Sequence, residues 1–190
     1  MKKTLVATIL GIATAASVHA QGRIVMDTYA SAVAPYPLIT YGTSGVPIPS
    51  SSGYTVGFYY STVAATFNDP SGTGVPGGTF VLATGVGSTA PLGAIPASAG
   101  LFTSSTDFVI PGNFGVPVYL VVVAYNGANY VTSTLRGHST VFTVTANNSF
   151  GGGTPLGAAM QAFNIPIPEP STFALAGLGL AGLLIFRRRK

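Results

Sequence analysis

Tyr54-Thr55-Val56-Gly57-Phe58-Tyr59-Tyr60 alternates, with Tyr54, Val56, Phe58 and Tyr60 on one face and Thr55, Gly57 and Tyr59 on the other. Successive side chains of a β-strand point to opposite sides of its sheet, so a period of two predicts a strand with one buried face. Thr140, Phe142 and Val144 repeat the device against Val141, Thr143 and Thr145. Val116 to Tyr125 is apolar on both faces apart from Pro117, which predicts a central strand covered on both sides. Shorter runs from Arg23 to Tyr29, Leu38 to Tyr41, Thr79 to Ala83, Asp107 to Ile110 and Asn129 to Thr134 predict further strands. Turn signals separate them: Asn68-Asp69-Pro70-Ser71-Gly72, Pro111-Gly112-Asn113 and Asn126-Gly127. Short strands divided by Gly and Pro predict an all-β fold, an antiparallel β-sandwich of immunoglobulin-like or jelly-roll-like kind. Gly157 to Ala162 offers little more than one helical turn. The small-residue runs 75–79 and 84–105 predict long surface loops or one irregular edge.

A chain of 190 residues without cysteine builds one domain on packing and backbone pairing, with no disulfide, thiol nucleophile or Cys-ligated metal. The formal charge of +4 is misleading, because Lys2, Lys3, Arg187, Arg188, Arg189 and Lys190 supply six of the eight basic residues. Between the ends only Arg23 and Arg136 stand against Asp27, Asp69, Asp107 and Glu169, leaving no basic stripe for phosphates, so nucleic acid is excluded as a partner. Charged residues make up 6% of the chain, against roughly 25% in ordinary soluble domains, and Ser, Thr, Asn and Gly carry the polarity; we read an extracytoplasmic surface protein.

The two ends divide the chain. Residues 1–20, with Lys2-Lys3, the apolar run from Leu5 to Ala16 and the ending Val18-His19-Ala20, have the form of a secretory signal peptide, a helix cleaved between Ala20 and Gln21. Residues 21–150 form the β-sandwich body and residues 151–167, opening on Gly151-Gly152-Gly153, a flexible spacer. Residues 168–190 hold Pro168-Glu169-Pro170, an uncharged segment 172–186 and the basic stop Arg187-Arg188-Arg189-Lys190. As a helix, 172–186 reaches about 22 Å, short of the roughly 30 Å hydrocarbon core, and snorkelling arginines close the gap. Basic residues at both termini hold both ends on the cytoplasmic side and put the body outside.

Ile167-Pro168-Glu169-Pro170-Ser171-Thr172, the Leu/Gly/Ala-rich segment and the Arg-rich terminus together resemble the PEP-CTERM sorting signal of Gram-negative bacteria that make exopolysaccharide. The resemblance covers about the last 23 residues and implies that an exosortase, a membrane-embedded cysteine transpeptidase-like enzyme, processes the chain near Pro168 to Pro170. It implies as partners the exosortase, the export machinery, the inner membrane transiently and an exopolysaccharide. It says nothing of the body's fold. The residues support the same roles: prolines around Glu169 hold the backbone extended, out of the following helix and open to an enzyme.

Elsewhere little chemistry is legible. Gly72-Thr73-Gly74-Val75-Pro76-Gly77 matches G-x-G-x-x-G, but a turn precedes it and Pro76 stands where a helix should begin, so it reads as a loop. His138 alone makes no multi-His metal site, and no cofactor is implied. Arg136 and His138 with Asp27 or Asp107 would make an acid/base site if folding joined them, although a solvated loop residue is the simpler reading of His138. Asp69 reads as a turn residue and Asp107 as a strand-edge charge against pairing. Tyr29, Tyr36, Tyr41, Tyr59, Tyr125 and Tyr130 offer rings for stacking on sugars, against their ordinary use in strands. The expected protein is a non-enzymatic exported component of the surface or exopolysaccharide matrix, the alternative a carbohydrate-binding or adhesive module.

Overall fold

The computed structural model of the chain describes residues 21–29, 36–42, 45–69, 79–93, 99–147, 152–157, 159–167, 177 and 179. The signal segment with Ala20, the glycine-rich match at 72–77, and the sorting segment 168–190 apart from Gly177 and Gly179 lie outside the described residues. The processing motif Pro168-Glu169-Pro170, the basic residues Arg187, Arg188, Arg189 and Lys190, and the two expected flanking helices apart from Gly177 and Gly179 therefore lie outside them too. Among the described residues no helix is long and apolar enough to cross a membrane.

The described chain is all-β. In order come β1 (Gly22–Asp27), β2 (Ile39–Tyr41), β3 (Val46–Pro47), β4 (Thr55–Ser61), β5 (Val81–Leu82), β6 (Thr89–Pro91), β7 (Thr103–Ile110), β8 (Pro117–Tyr125), β9 (Arg136–His138), β10 (Phe142–Thr145), β11 (Thr154–Pro155) and β12 (Phe163–Ile165). They form three sheets. The largest is built on an antiparallel ladder between β4 and β8, from Thr55 opposite Tyr125 to Ser61 opposite Tyr119. Each of the two long strands carries two short ones on its outer edge, β5 and β6 on β4, β9 and β10 on β8. The second sheet has the order β11-β1-β7 and the third β12-β2-β3.

The alternation in the sequence explains which face goes where. Val56 and Phe58 of β4 and Val118, Leu120, Val122 and Ala124 of β8 are fully buried in the main core. Ile24, Met26, Phe108 and Ile110 of the β1–β7 sheet, and Ile39 and Ile165 of the third, enter the same core. Phe58 meets Phe108 edge to face with ring centroids 5.0 Å apart, joining two sheets. Each such side chain contributes roughly 1.5–3 kcal/mol relative to its exposed state. The opposite face of the β4–β8 ladder is covered as well: Tyr59, Val121 and Val123 pack with Phe80 and Tyr130 in a second cluster. That is why Val116 to Tyr125 reads as apolar on both sides.

Two expectations are corrected and one pair of alternatives is resolved. Residues 129–134 make a turn, not a strand, because the Asn129 side-chain oxygen accepts from the Thr132 N–H at 3.0 Å and the Thr132 hydroxyl at 2.9 Å, satisfying locally what a ladder would have used. The described members of 84–105 take the irregular-edge alternative rather than the open loop: they hold β6 on the edge of β4, the start of β7 and the buried Ala90, Leu92, Leu101 and Phe102. Gly87, at φ +76°, turns the chain so tightly against β7 that an added Cβ would lie 2.5 Å from the Asp107 carbonyl carbon. The expected flexible spacer 151–167 is the third case. Its described residues supply β11 and β12, each paired in parallel with a strand near the start of the body.

Candidate functional site

The approach to the sorting segment is built into the sheets. Asn147 bridges to Arg23; beyond it the Gly153 N–H donates to the Asp107 carboxylate at 3.3 Å and the Thr154 hydroxyl to the Thr145 carbonyl at 2.8 Å. β11 then lies on β1 with Ile24 opposite Thr154 and Val25 opposite Pro155. An outer strand is where a proline is tolerated, since its missing N–H faces no neighbour. Leu156 is fully buried, and the Ala159 and Met160 N–H groups both return to its carbonyl at 3.1 Å, a single turn that delivers Met160 to the core. β12 pairs with β2 through Phe163 and Ile39, Asn164 and Thr40, Ile165 and Tyr41. Ile165 is 0% exposed and Ile167 50% exposed, so the chain leaves the body between them, and Pro168 follows Ile165 by three positions.

The polar candidates are held apart. Asp27 accepts from the Tyr29 N–H at 2.6 Å and the Thr103 hydroxyl at 3.0 Å. Asp107 stands on β7, the edge strand of its sheet, and faces Arg23 at 3.8 Å with its side chain 7% exposed, so it ties β7 to β1 and to the start of β11. His138 lies in a strand, not a solvated loop: Nδ1 meets the Ser139 carbonyl oxygen at 2.9 Å and the ring packs against Phe67 at 5.3 Å. It stands opposite Val123, on the second-cluster face of the β4–β8 sheet, while β7 packs Phe108 against the other face. The sheet therefore separates His138 from Asp107. Among the described residues no three His, Asp or Glu side chains converge as metal ligands.

The tyrosines divide into three environments. Tyr59 and Tyr130 are buried in the second cluster, with Tyr125 half-buried beside Tyr130 at 6.2 Å. Burial, and behind it the negative charge of Asp69, pushes the Tyr59 and Tyr130 phenols up, and burial alone pushes Tyr125 up. The Tyr130 hydroxyl closes no hydrogen bond of good geometry, although it lies within reach of the Asp69 field. Arg136 stacks over the Tyr130 ring at 5.1 Å and donates through Nη1 to the Tyr130 and Val131 carbonyls at 3.1 and 2.7 Å. Tyr41 packs edge to face on Tyr54, whose phenol is pushed up to about 12 by burial and by Tyr41. Tyr29, 51% exposed, stacks on Tyr36 at 5.8 Å and 23°.

One open groove, of about 550 Å³, runs along β7 beside Arg23, Thr84, Val86, Ser105, Thr106 and Asp107. Two residues of consequence are not marked by any motif. Phe67 joins Tyr59, Phe80 and His138 at 5.3, 5.5 and 5.3 Å, and its only signal is an aromatic residue next to a turn. Gly137 is where β9 backs onto β12: an added Cβ would lie 2.6 Å from the Asn164 carbonyl oxygen and 3.2 Å from the Ile165 Cα.

Compared with known proteins, the chain matches a family model described as the PEP-CTERM protein-sorting motif over residues 166–190. No curated protein and no solved structure matches it.

Proposed function

We propose that this chain, whose residues 166–190 match the PEP-CTERM protein-sorting motif, is an exported substrate of an exosortase, and that its body is a non-enzymatic structural or adhesive component of the cell surface or exopolysaccharide matrix. The observation that carries the reading is the sorting motif at residues 166–190, directly behind a packed all-β body. In this reading 1–20 opens the export route and 172–186 halts the chain in the inner membrane, with Arg187 to Lys190 on the cytoplasmic side. Pro168-Glu169-Pro170 is then presented to the exosortase as an extended peptide at the outer membrane face. Loss of the tail releases the body, as removal of a hydrophobic tail does in lipid anchoring.

The body is read as a β-sandwich, with the β11-β1-β7 sheet laid over the β4–β8 sheet through Phe108 on Phe58 and the third sheet closing the core through Ile39 and Ile165. A structural role is supported by carboxylates tied up in fold contacts, Asp27 with Thr103 and Asp107 with Arg23. The test removes residues 168–190: the shortened chain fails to reach the surface fraction, and delivery equal to wild type refutes the reading.

A glycan-binding role is the second reading, favoured by the β7 groove, where Thr84, Ser105 and Thr106 hydroxyls stand beside Arg23 and Asp107, and by the exposed Tyr29 on Tyr36. Binding on a glycan array, lost in Tyr29→Ala or Thr106→Val, supports it; silence at high protein concentration removes it.

A further inference from the structure

We propose that β12 is a latch on the sorting signal: while Phe163–Ile165 is paired with β2, the motif at Pro168 to Pro170 is withheld from the processing cleft, and release of the strand from β2 and β9 admits it. The inference rests on the reading of the tail as an exosortase substrate. Its ground is the place where the fold stops. Ile165 is 0% exposed, and Asn164 Nδ2 donates to the Gly42 carbonyl at 3.0 Å. On the other side β9 presses so close that only a glycine fits at position 137, an added Cβ meeting the Asn164 carbonyl oxygen at 2.6 Å.

Pro168 lies three positions beyond Ile165, about 10 Å of extended chain, and Thr172, where the apolar run begins, lies about 23 Å beyond it. The body is thus held close to the membrane end of the chain. An enzyme that grips an extended peptide pairs with its main chain over several residues. Around this motif Pro166, Pro168 and Pro170 have no N–H to offer, so the nearest run of successive backbone donors on the N-terminal side is Phe163–Ile165 itself. Those groups belong to the β2 ladder, and one strand edge cannot serve two partners. Processing therefore waits on the fraction of molecules in which β12 is detached, and its rate scales with that fraction.

The chain has no cysteine, and Thr40 and Asn164 are register partners, so Thr40→Cys with Asn164→Cys places one reducible staple across the latch. The full-length chain is expressed with its sorting enzyme, with and without a membrane-permeant reductant, and the C-terminus is read by mass. We expect the stapled chain to be processed on the order of tenfold more slowly than its own reduced form, with Thr40→Cys alone at the wild-type rate and Asn164→Cys alone, which gives up the bond to Gly42, no slower than wild type. A Gly/Ser insertion of about six residues between Ile167 and Pro168, adding ~20 Å of reach, restores processing of the stapled chain. Gly137→Ala, which crowds β12 from the β9 side, is processed faster than wild type. Equal processing of stapled and reduced chains overturns the latch and leaves the sorting reading intact. Failure of the wild-type chain to be processed at all overturns both.

Discussion

Ile165→Ala separates a structural terminal segment from a free linker. Ile165 is fully buried, in contact with the core that contains Ile39, Phe58 and Val122, and sits at the end of a parallel ladder with β2. Replacement by Ala removes three carbons, worth about 0.8 kcal/mol each on transfer, and leaves a cavity whose walls are held by two sheets. Together these predict a loss of about 2–5 kcal/mol. Ile167→Ala, two positions on at 50% exposure, serves as the matched control and should stay within about 0.5 kcal/mol. Urea unfolding of the body, residues 21–167, reads both. With a slope of roughly 1–3 kcal/mol/M, the Ile165 variant moves the midpoint down by about 1 M or more at unchanged slope, while the control holds. Equal midpoints for the two variants would refute the placement of β12.

Other outcomes follow from the same contacts. Gly137→Ala forces the β9 and β12 backbones apart and should cost about 1–3 kcal/mol in the same unfolding assay, whereas Gly112→Ala, with open space around its position, suffers only backbone strain at φ +74° of roughly 1 kcal/mol. Phe58→Ala, at the contact between two sheets, should cost about 3–5 kcal/mol; a loss under 1 kcal/mol would contradict the packing of Phe58 on Phe108. Stability should fall in alkali. Tyr54, Tyr59, Tyr125 and Tyr130 all hold their protons more tightly when folded, chiefly through burial, with Tyr54 at about 12. A folded value above the unfolded one, near 10, gives a contribution that is complete below about pH 10 and lost as pH rises through the folded values. Urea midpoints should therefore hold to about pH 9 and decline beyond pH 10, and a midpoint that rises there would contradict the burial of these rings.

The long strands were legible because their burial follows a rule of position. β10 alternates, whereas β4 and β8 are covered on both faces: Tyr59 of β4, expected on an open side, packs in the second cluster, so the alternation of residues 54–60 marked a strand but not an exposed face. β11 and β12 carry no such signal. Two or three residues cannot display a period, and each pairs with a strand more than 100 positions earlier, so nothing nearby in the chain marks them. Gly151-Gly152-Gly153 suggests freedom, yet an added Cβ on Gly153 would come within 2.9 Å of the Ile24 backbone; that glycine is there for close approach. Which tyrosines are buried is not legible for a related reason. Whether Tyr59 and Tyr130 are platforms or core depends on Phe67 and Phe80 folding over them from either side of a Gly/Pro-rich segment, which residue spacing does not reveal. Asn129 to Thr134 reads as a strand by its aromatic and β-branched residues, but the side chain of Asn129 closes a turn first.

The resemblance to the sorting motif was legible because it rests on the composition and order of residues at the tail, which need no tertiary context. The most direct measurement of the account is the mass of the C-terminal peptide of native molecules taken from the cell surface. The account predicts a terminus within or just before Pro168-Glu169-Pro170, and surface molecules that still end in Lys190 would contradict it.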